Sequence, residues 1–315
     1  MTKSKVAIVG TGFVGMSYAY SLLNQGTIEE LILIDVNKDK AEGEAMDLNH
    51  GLAFAPRKMT IKAGDYSECK DAGLVVITAG VSQKPGETRI DLLNRNAKII
   101  QLVTRNIMDS GFDGIILVAS NPVDILTYVA WKESGLPSSK VLGSGTSLDT
   151  ARLRYEISKY IHIDSRNIHA YILGEHGDSE FVCWSKAYVG TKPMLDVIES
   201  MKEINFEDLD HIYIKVRDAA QEIIKRKNAT YYGIGMTLVR ITSAIFDNEN
   251  SIIPVSVYND GVYDIDKDMY IGLPAVLNRD GVHHVVNLKL SPEEQEKLKK
   301  SASILKHSLN QMNIN

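Results

Sequence analysis

Four short apolar runs alternate with helical patterns through the first half of the sequence. The runs are VAIV (6–9), LILID (31–35), LVVITAG (74–80) and IILVAS (115–120). They are rich in β-branched residues and apolar on both faces, which is typical of strands buried in a parallel sheet. Between the first two runs, Val14, Tyr18 and Leu22 recur every four residues, as on one face of a helix. The alternation predicts a doubly wound α/β domain over residues 1–143.

The second half, residues 144–315, mixes helices and strands without that rhythm. It predicts a mixed α+β domain that packs tightly against the first, since no long linker or repeat separates them. The last helix has a clear start, with Ser291 as N-cap, Pro292 at the first helical position and Glu294 two residues later. The other predicted helices cover 146–161, 207–227 and 229–247, and the predicted strands cover 167–178 (running into a loop), 252–258 and 283–290.

A glycine pattern follows the first strand. Gly10, Gly12 and Gly15 form GxGxxG at the opening of a helix, and Asp35 ends the next strand. This context predicts a Rossmann domain, in which the turn and the helix N-terminus hold a pyrophosphate and the acid accepts hydrogen bonds from the adenosine ribose. Asp35 would repel a 2′-phosphate, so NAD is favoured over NADP. The alternative is a glycine turn needed only for packing.

Composition excludes several function classes. The 315 residues carry a net charge of −5 and no long basic block, which argues against nucleic acid as a partner. The N-terminal apolar run is too short for a signal peptide, and no run is long enough for a membrane helix. The two cysteines, Cys69 and Cys183, form no metal motif and fit a reducing cytosol. We therefore expect a cytoplasmic enzyme or binding protein.

The stretch GEHGDSE places His176 among three acids, Glu175, Asp178 and Glu180. His176 could be a solvated loop residue, or a proton carrier controlled by a carboxylate. Upstream, Asp149 and Arg152 lie three positions apart, hence on one face of a helix. They could form only a local ion pair. In the alternative interpretation Asp149 bonds one imidazole nitrogen of His176, which leaves the other free to exchange a proton with a substrate.

A second arginine belongs with these residues. Arg89 lies in SQKPGETRIDLL (82–93), which reads as a mobile loop after a strand, where open α/β sheets bind ligands. A lone loop arginine would be expected in solvent. Together with Arg152 it suggests two tasks, one arginine forking onto a carboxylate and the other polarising a carbonyl.

The motifs GTGFVG, ITAGVSQKPGETRIDLL, ASNPVDILTY, GSGTSLDTARLR, GEHGDSE and ATYYGIG together resemble the NAD-dependent lactate and malate dehydrogenases over essentially the whole chain, and most closely bacterial L-lactate dehydrogenases of the allosteric type. The resemblance implies catalytic roles for His176 as proton donor and acceptor, Asp149 as its partner and Arg89 at the carbonyl. It implies that Arg152 clamps the substrate carboxylate. It also implies that Asn121 contacts substrate and cofactor. The remaining NAD contacts implied are Val14, Lys40, Tyr66, Gly80, Val81, Ser144 and Ile234.

Position 83 bears on which keto acid is used. The family's malate enzymes carry arginine there to pair a second carboxylate, whereas this chain has Gln83, and Thr230 matches a position that sizes the same pocket. Leaving a carboxylate unpaired in a closed site costs several kcal/mol, so the expectation is pyruvate and L-lactate, the chemistry of fermentation after glycolysis. No metal is expected. The alternatives are a lactate-like malate dehydrogenase and a catalytically silent NAD-binding sensor.

The resemblance also suggests a second site. In allosteric members, residues like Arg154 and His169 bind fructose bisphosphate at a subunit interface, and a homotetramer is expected. Arg154 lies two residues after Arg152, so the two point to different sides of the helix. The alternative is that Arg154 is a solvated charge and His169 an ordinary strand residue.

Overall fold

A computed structural model describes residues 4–82, 86–201 and 206–312, without the side chains of Arg89 and Phe206. Within these ranges the helices are α1 Phe13–Gln25, α2 Lys38–Gly51, α3 Arg89–Asp109, α4 Val123–Ser134, α5 Ser147–Ile161, α6 Met194–Ser200, α7 Phe206–Lys227, α8 Tyr232–Phe246 and α9 Pro292–Gln311. The strands are β1 Lys5–Val9, β2 Glu30–Ile34, β3 Thr60–Ala63, β4 Leu74–Ile77, β5 Ile115–Val118, β6 Val141–Gly143, β7 Ile168–His169, β8 Ile172–Leu173, β9 Phe181–Val182, β10 Tyr188–Val189, β11 Lys192–Pro193, β12 Ser251–Tyr258, β13 Tyr270–Asn278 and β14 Gly281–Val285.

A nine-stranded sheet organises the molecule, in the order β14-β13-β12-β6-β5-β4-β1-β2-β3. The six strands from β3 to β6 are parallel. Their order is that of the doubly wound dinucleotide-binding fold, in which ligands bind at the carboxyl ends near the point where the strand order reverses. The predicted Rossmann sheet is therefore confirmed, and its reversal lies between β1 and β4.

The second half extends this sheet. Strand β12 pairs antiparallel with β6 through Ser256 and Gly143, and β13 and β14 continue antiparallel beyond it. Helix α8 packs against α1, where the hydroxyls of Tyr18 and Thr242 lie 2.6 Å apart in the core. A second cluster of buried side chains, including Leu153, packs α5 against α6 and α7. The two halves thus share one core as well as one sheet.

Several sequence-based boundaries were wrong. Residues 167–178 form two two-residue strands, β7 and β8, before the loop, and the strand predicted over 283–290 ends at Val285. Strand β3 was missed because it is a short edge strand with polar residues, and β13 because Gly272 and Pro274 interrupt its apolar pattern. The predicted start of α9 is confirmed by a capping box between Ser291 and Glu294.

Buried apolar side chains line both faces of the sheet. No helix in the described ranges combines the length and the hydropathy that crossing a membrane requires.

Candidate active site

The glycine turn after β1 has the geometry that its sequence predicts. Gly10 has a φ of 110°, and a Cβ there would lie 2.8 Å from the backbone of Ala79. A Cβ on Gly15 would lie 2.0 Å from the carbonyl oxygen of Gly10, so helix α1 can approach the strand only with glycine at this position. A Cβ on Gly12, in contrast, would meet no atom within 4 Å. The open side of the turn therefore lies at the helix N-terminus, where a pyrophosphate would bind.

Asp35 lies beside this turn. Its carboxylate accepts hydrogen bonds from the backbone N–H and the hydroxyl of Thr11 at 2.7 and 2.9 Å, and from the N–H of Asn37 at 3.0 Å. Burial raises the pKa of Asp35, but these hydrogen bonds and the charge of Lys40 outweigh it and hold the pKa below its ordinary value. The ammonium of Lys40 donates to the carbonyl of Thr11 at 2.5 Å. Asp35 is thus a fixed negative charge, as selection for NAD over NADP requires.

The other cofactor-binding candidates follow the carboxyl ends of neighbouring parallel strands. Gly80 and Val81 come after β4, Asn121 after β5 and Ser144 after β6. The backbone N–H of Val81 donates to the side chain of Asn96 at 2.9 Å. Asn96 is 4% exposed and fixes the start of the loop that leaves β4, a role that its sequence context did not reveal. Val14, Tyr66 and Ile234 are half-buried against the main core.

Asp149 and His176 are 27 positions apart in the sequence, and the fold brings their side chains into contact. The Nδ1 of His176 lies 2.6 Å from Oδ2 of Asp149, whose side chain is 3% exposed, whereas that of His176 is 26% exposed. Burial lowers the pKa of His176, but the charge and hydrogen bond of Asp149 reverse this and raise it to about 9. Burial raises the pKa of Asp149, but His176 and Arg152 outweigh this effect, so the pKa of Asp149 is lowered from its ordinary value. The interpretation of His176 as a solvated loop residue does not fit this arrangement.

Arg152 binds the other oxygen of the same carboxylate. Its Nη1 donates to Oδ1 of Asp149 at 2.9 Å, and its side chain is 14% exposed. The local ion pair and the Asp149–His176 contact are therefore not alternatives, because one carboxylate makes both. The planar guanidinium has five N–H donors, so others are available to a ligand carboxylate.

Residues of this site line a cleft of ≈ 1180 Å³. Asn121 and His176 form part of its wall, together with Leu93 of α3 and Ile304 of α9. The cleft therefore lies between the carboxyl edge of the sheet and the last helix. A proton carrier in a cleft at the carboxyl edge of a dinucleotide-binding sheet is suited to hydride and proton transfer.

Comparisons with known proteins agree with this geometry. The sequence model described as "lactate/malate dehydrogenase, NAD binding domain" matches residues 4–143, and the one described as "lactate/malate dehydrogenase, alpha/beta C-terminal domain" matches residues 146–314. The chain belongs to the lactate/malate dehydrogenase family. It is an NAD-dependent oxidoreductase of that family, and its cofactor is NAD.

Individual relatives cover nearly the full length. L-lactate dehydrogenase 2 and L-lactate dehydrogenase 1 of Bacillus anthracis are each 56% identical to this chain, over 97% of both sequences. A crystal structure of a lactate dehydrogenase from a Medee basin deep-sea metagenome library is 74% identical, with a TM-score of 0.99 and full coverage of both chains. The ligand-bound minor L-lactate dehydrogenase of Enterococcus mundtii is 50% identical, with a TM-score of 0.97 over 100% of both chains.

For three residues that the resemblance assigns to the substrate, the structure gives only partial information. Gln83 and the side chain of Arg89 lie outside the described residues. The backbone of Arg89 begins α3, so the prediction that Arg89 lies on the loop was wrong. Thr230 is half-buried in the loop between α7 and α8. The assignments of these three residues to the substrate remain predictions.

Arg154 contacts the two residues that follow His169 in sequence. The Nε of Arg154 donates to the backbone oxygen of Ala170 at 3.3 Å, and its guanidinium lies over the ring of Tyr171 at 5.5 Å from the centroid. Burial lowers the pKa of Arg154. His169, the residue before Ala170, is exposed on β7. Arg154 is thus a half-buried charge, which differs from the solvated charge considered as the alternative.

The sequence analysis missed Asp124, and it named Glu180 only as one of three acids around His176. Asp124, 2% exposed on α4, accepts hydrogen bonds from the backbone N–H of His176 at 2.8 Å and from the hydroxyl of Ser256 at 2.5 Å. Burial raises its pKa to about 6. Glu180, 4% exposed, also lines the cleft. Both lie in family motifs, but nothing in their local pattern separates them from ordinary surface acids.

Asp149, His176 and Glu180 each offer a potential metal-ligand atom, all within 4.8 Å of one another. The guanidinium of Arg152, 2.9 Å from Asp149, already supplies a positive charge at this point. Arg152 therefore neutralises the carboxylate of Asp149 within this group.

Proposed function

We propose that the protein is an L-lactate dehydrogenase, which interconverts pyruvate and L-lactate with NAD. The observation that carries the proposal is the 2.6 Å contact between His176 and Asp149, in a cleft that Asn121 also lines after strand β5 of the dinucleotide-binding sheet. The printed names of relatives at 56% identity support the choice of substrate.

The proposed chemistry divides the work among few residues. Bound NADH supplies the hydride that reduces the carbonyl carbon of the keto acid. Because Asp149 holds Nδ1 of His176, Nε2 is the atom that gives a proton to the carbonyl oxygen. In the reverse direction neutral His176 accepts that proton from lactate. Arg152 would bind the carboxylate with donors not used by Asp149, Arg89 would stabilise negative charge on the carbonyl oxygen, and Asn121 would orient it.

Gln83 is proposed to select pyruvate. A neutral amide gives no partner to the second carboxylate of oxaloacetate, so closure over that substrate would bury an unpaired charge. Replacement Gln83→Arg should shift the preference towards oxaloacetate, and an unchanged ratio of kcat/KM values would remove Gln83 from this role.

Fructose bisphosphate is proposed as an activator that binds at Arg154 and His169 in a homotetramer. Two such pairs across a two-fold axis would present four groups to one doubly phosphorylated ligand and stabilise the assembled state. Arg154→Gln and His169→Ala should each remove the response of the pyruvate KM to the bisphosphate. The buried free thiols Cys69 and Cys183 fit a reducing compartment, and the cytoplasm is the proposed location.

The test is NADH oxidation, followed by absorbance, with pyruvate or oxaloacetate and with or without fructose bisphosphate. Higher kcat/KM with pyruvate, and a lower KM when the bisphosphate is present, are expected. Preference for oxaloacetate would favour a lactate-like malate dehydrogenase. Turnover of neither acid, with NADH still bound, would favour a silent NAD-binding sensor.

A further inference from the structure

Glu180 is a buried acid for which the proposed chemistry has no use. Its side chain is 4% exposed and lies in the wall of the cleft. A carboxyl oxygen of Glu180, a carboxylate oxygen of Asp149 and a ring nitrogen of His176 all lie within 4.8 Å of one another. The site thus contains two buried carboxyl groups next to one imidazole.

Charged and titratable groups surround Glu180 on several sides. Helix α5 contributes Asp149 and Arg152, and the loop of Glu180 itself contributes His176. From α7 the hydroxyl of Tyr213 donates to the backbone carbonyl of Glu180. The more distant charged groups are Asp124 behind His176, and Arg217 and Asp178 beside Tyr213.

Charge balance decides which carboxyl group is ionised. Asp149 has two partners, Arg152 at 2.9 Å and His176 at 2.6 Å, and its pKa is lowered. Burial, reinforced by the charge of Asp149, raises the pKa of Glu180 to about 9. Two neighbouring buried carboxyl groups rarely ionise together, because their charges repel. Asp149 therefore carries the charge and Glu180 the proton.

Binding of a carboxylate substrate also favours the protonated form of Glu180. The charges of Asp149 and Arg152 cancel, and protonated Glu180 adds no further charge to this pair. Ionised Glu180 would add a negative charge beside Arg152, the group proposed to bind the carboxylate of lactate. That charge would compete with the substrate for the same guanidinium.

We propose that Glu180 is a positioning residue, held in its neutral form, that donates a hydrogen bond to Asp149 and keeps the pocket open to a carboxylate substrate. The proposal rests on the proposed function, since it takes lactate as the substrate and Arg152 as its clamp. It adds a group to the site that acts through Asp149 and Arg152 without touching the reacting atoms.

Lactate oxidation gives the clearest test, because loss of the His176 proton and loss of the Glu180 proton should have opposite effects on this reaction. Loss of the His176 proton creates the base and raises the rate. Loss of the Glu180 proton weakens lactate binding, so KM for lactate should rise about tenfold per pH unit once Glu180 ionises, as for a single essential proton. The rise should begin near pH 9.

The decisive variant is Glu180→Gln, because an amide donates the same hydrogen bond and cannot ionise. Its KM for lactate should stay flat above pH 9, while the wild type shows the alkaline rise. Glu175→Gln is the matched control, since Glu175 lies on the same loop but is half-buried and accepts from the hydroxyl of Ser179. It should keep the rise. Glu180→Ala, which removes the hydrogen bond as well, should show a raised but flat KM.

An infrared measurement tests the protonation state independently of turnover. At pH 8 the NAD-bound protein should show a protonated-carboxyl C=O band that disappears as the pH passes about 9 and is absent from Glu180→Gln. Asp124, with a pKa of about 6, is mostly ionised at pH 8. An unaltered alkaline rise in Glu180→Gln, or an unaltered band, would overturn the proposal. If the wild type oxidises no lactate, the proposed function fails, while the band still decides whether Glu180 holds a proton.

Discussion

Asp149 is the residue on which the acid–base pair depends, because one carboxylate fixes both His176 and Arg152. In Asp149→Asn the amide cannot stabilise the imidazolium, and kcat/KM for pyruvate should fall by roughly 10²–10⁴. Fluorescence titration with NADH should show cofactor binding within about twofold of wild type. An intact kcat/KM would contradict the role of Asp149.

The same variant has a pH signature. Pyruvate reduction needs protonated His176, so activity is present below the pKa of His176 and lost above it. In the wild type that limit is near pH 9, because Asp149 outweighs burial. Without the carboxylate the pKa returns towards or below its ordinary value of about 6.5. The loss in kcat/KM should therefore be greater at pH 8 than at pH 6, and an equal loss at both would show that Asp149 does not set this pKa.

At the residue scale, Asp124 also gives a prediction about the stability of the folded protein. Its two oxygens accept from the N–H of His176 and the hydroxyl of Ser256 in a fully buried position. Asp124→Ala leaves both donors without a partner and should destabilise the protein by about 1–3 kcal/mol for each. In Asp124→Asn the amide oxygen can accept from His176, and the amide N–H₂ can donate to the hydroxyl of Ser256. Thermal unfolding should rank alanine well below asparagine, and the reverse order would contradict the assigned contacts.

At the scale of elements, the turn between β1 and α1 contains one glycine that is needed for packing, Gly15, and one that is needed for cofactor binding, Gly12. Gly15→Ala would place a Cβ 2.0 Å from the carbonyl oxygen of Gly10, whereas Gly12→Ala meets no atom within 4 Å. Gly15→Ala should therefore lower Tm strongly. Gly12→Ala should keep Tm but raise Kd for NADH by about tenfold or more, since a methyl group stands where the pyrophosphate approaches (about 1.4 kcal/mol per tenfold). Equal effects of the two substitutions on Tm would contradict this separation.

The elements also show what a sequence can predict. The strands β1, β2, β4 and β5 were recognised because a strand buried on both faces is continuously apolar. Strand β13 is equally buried, but Gly272 and Pro274 disguise it, and only its pairing with β12 explains its place. Local pattern therefore predicts the parallel strands better than the antiparallel extension.

In the site, too, residues that share a local motif could be predicted, whereas residues brought together by the fold could not. Glycines and Asp35 were predicted with their roles because a short motif brings them together. The partnership of Asp149 with His176 could be proposed, but only the fold shows it. Asp124 was missed, and Glu180 could not be distinguished from Glu175 and Asp178, because the importance of both acids comes from burial beside His176. Burial is a property of the assembled fold.

At the scale of the whole molecule, helices α1 and α8 come from opposite halves of the chain and pack side by side. A Cβ on Gly235 would lie 2.6 Å from the side chain of Ser17, which shows how closely they approach. The outer sides of these helices nevertheless expose Phe13, Tyr20, Tyr232 and Met236, by 54–71%. Exposed large apolar side chains grouped in this way mark interaction surfaces.

The proposed tetramer offers an occupant for this surface, a second copy of the chain. Met236→Glu introduces a charge that would be desolvated in such an interface, so it should shift sedimentation velocity from the wild-type oligomer towards smaller species. Leu102→Glu, at an apolar side chain 59% exposed on α3, is the matched control and should leave the oligomer intact. An unchanged oligomer in Met236→Glu, or equal dissociation in both variants, would place the subunit interface elsewhere. Dissociation confined to Met236→Glu would mean that the helices joining the two halves of one chain also join one chain to the next.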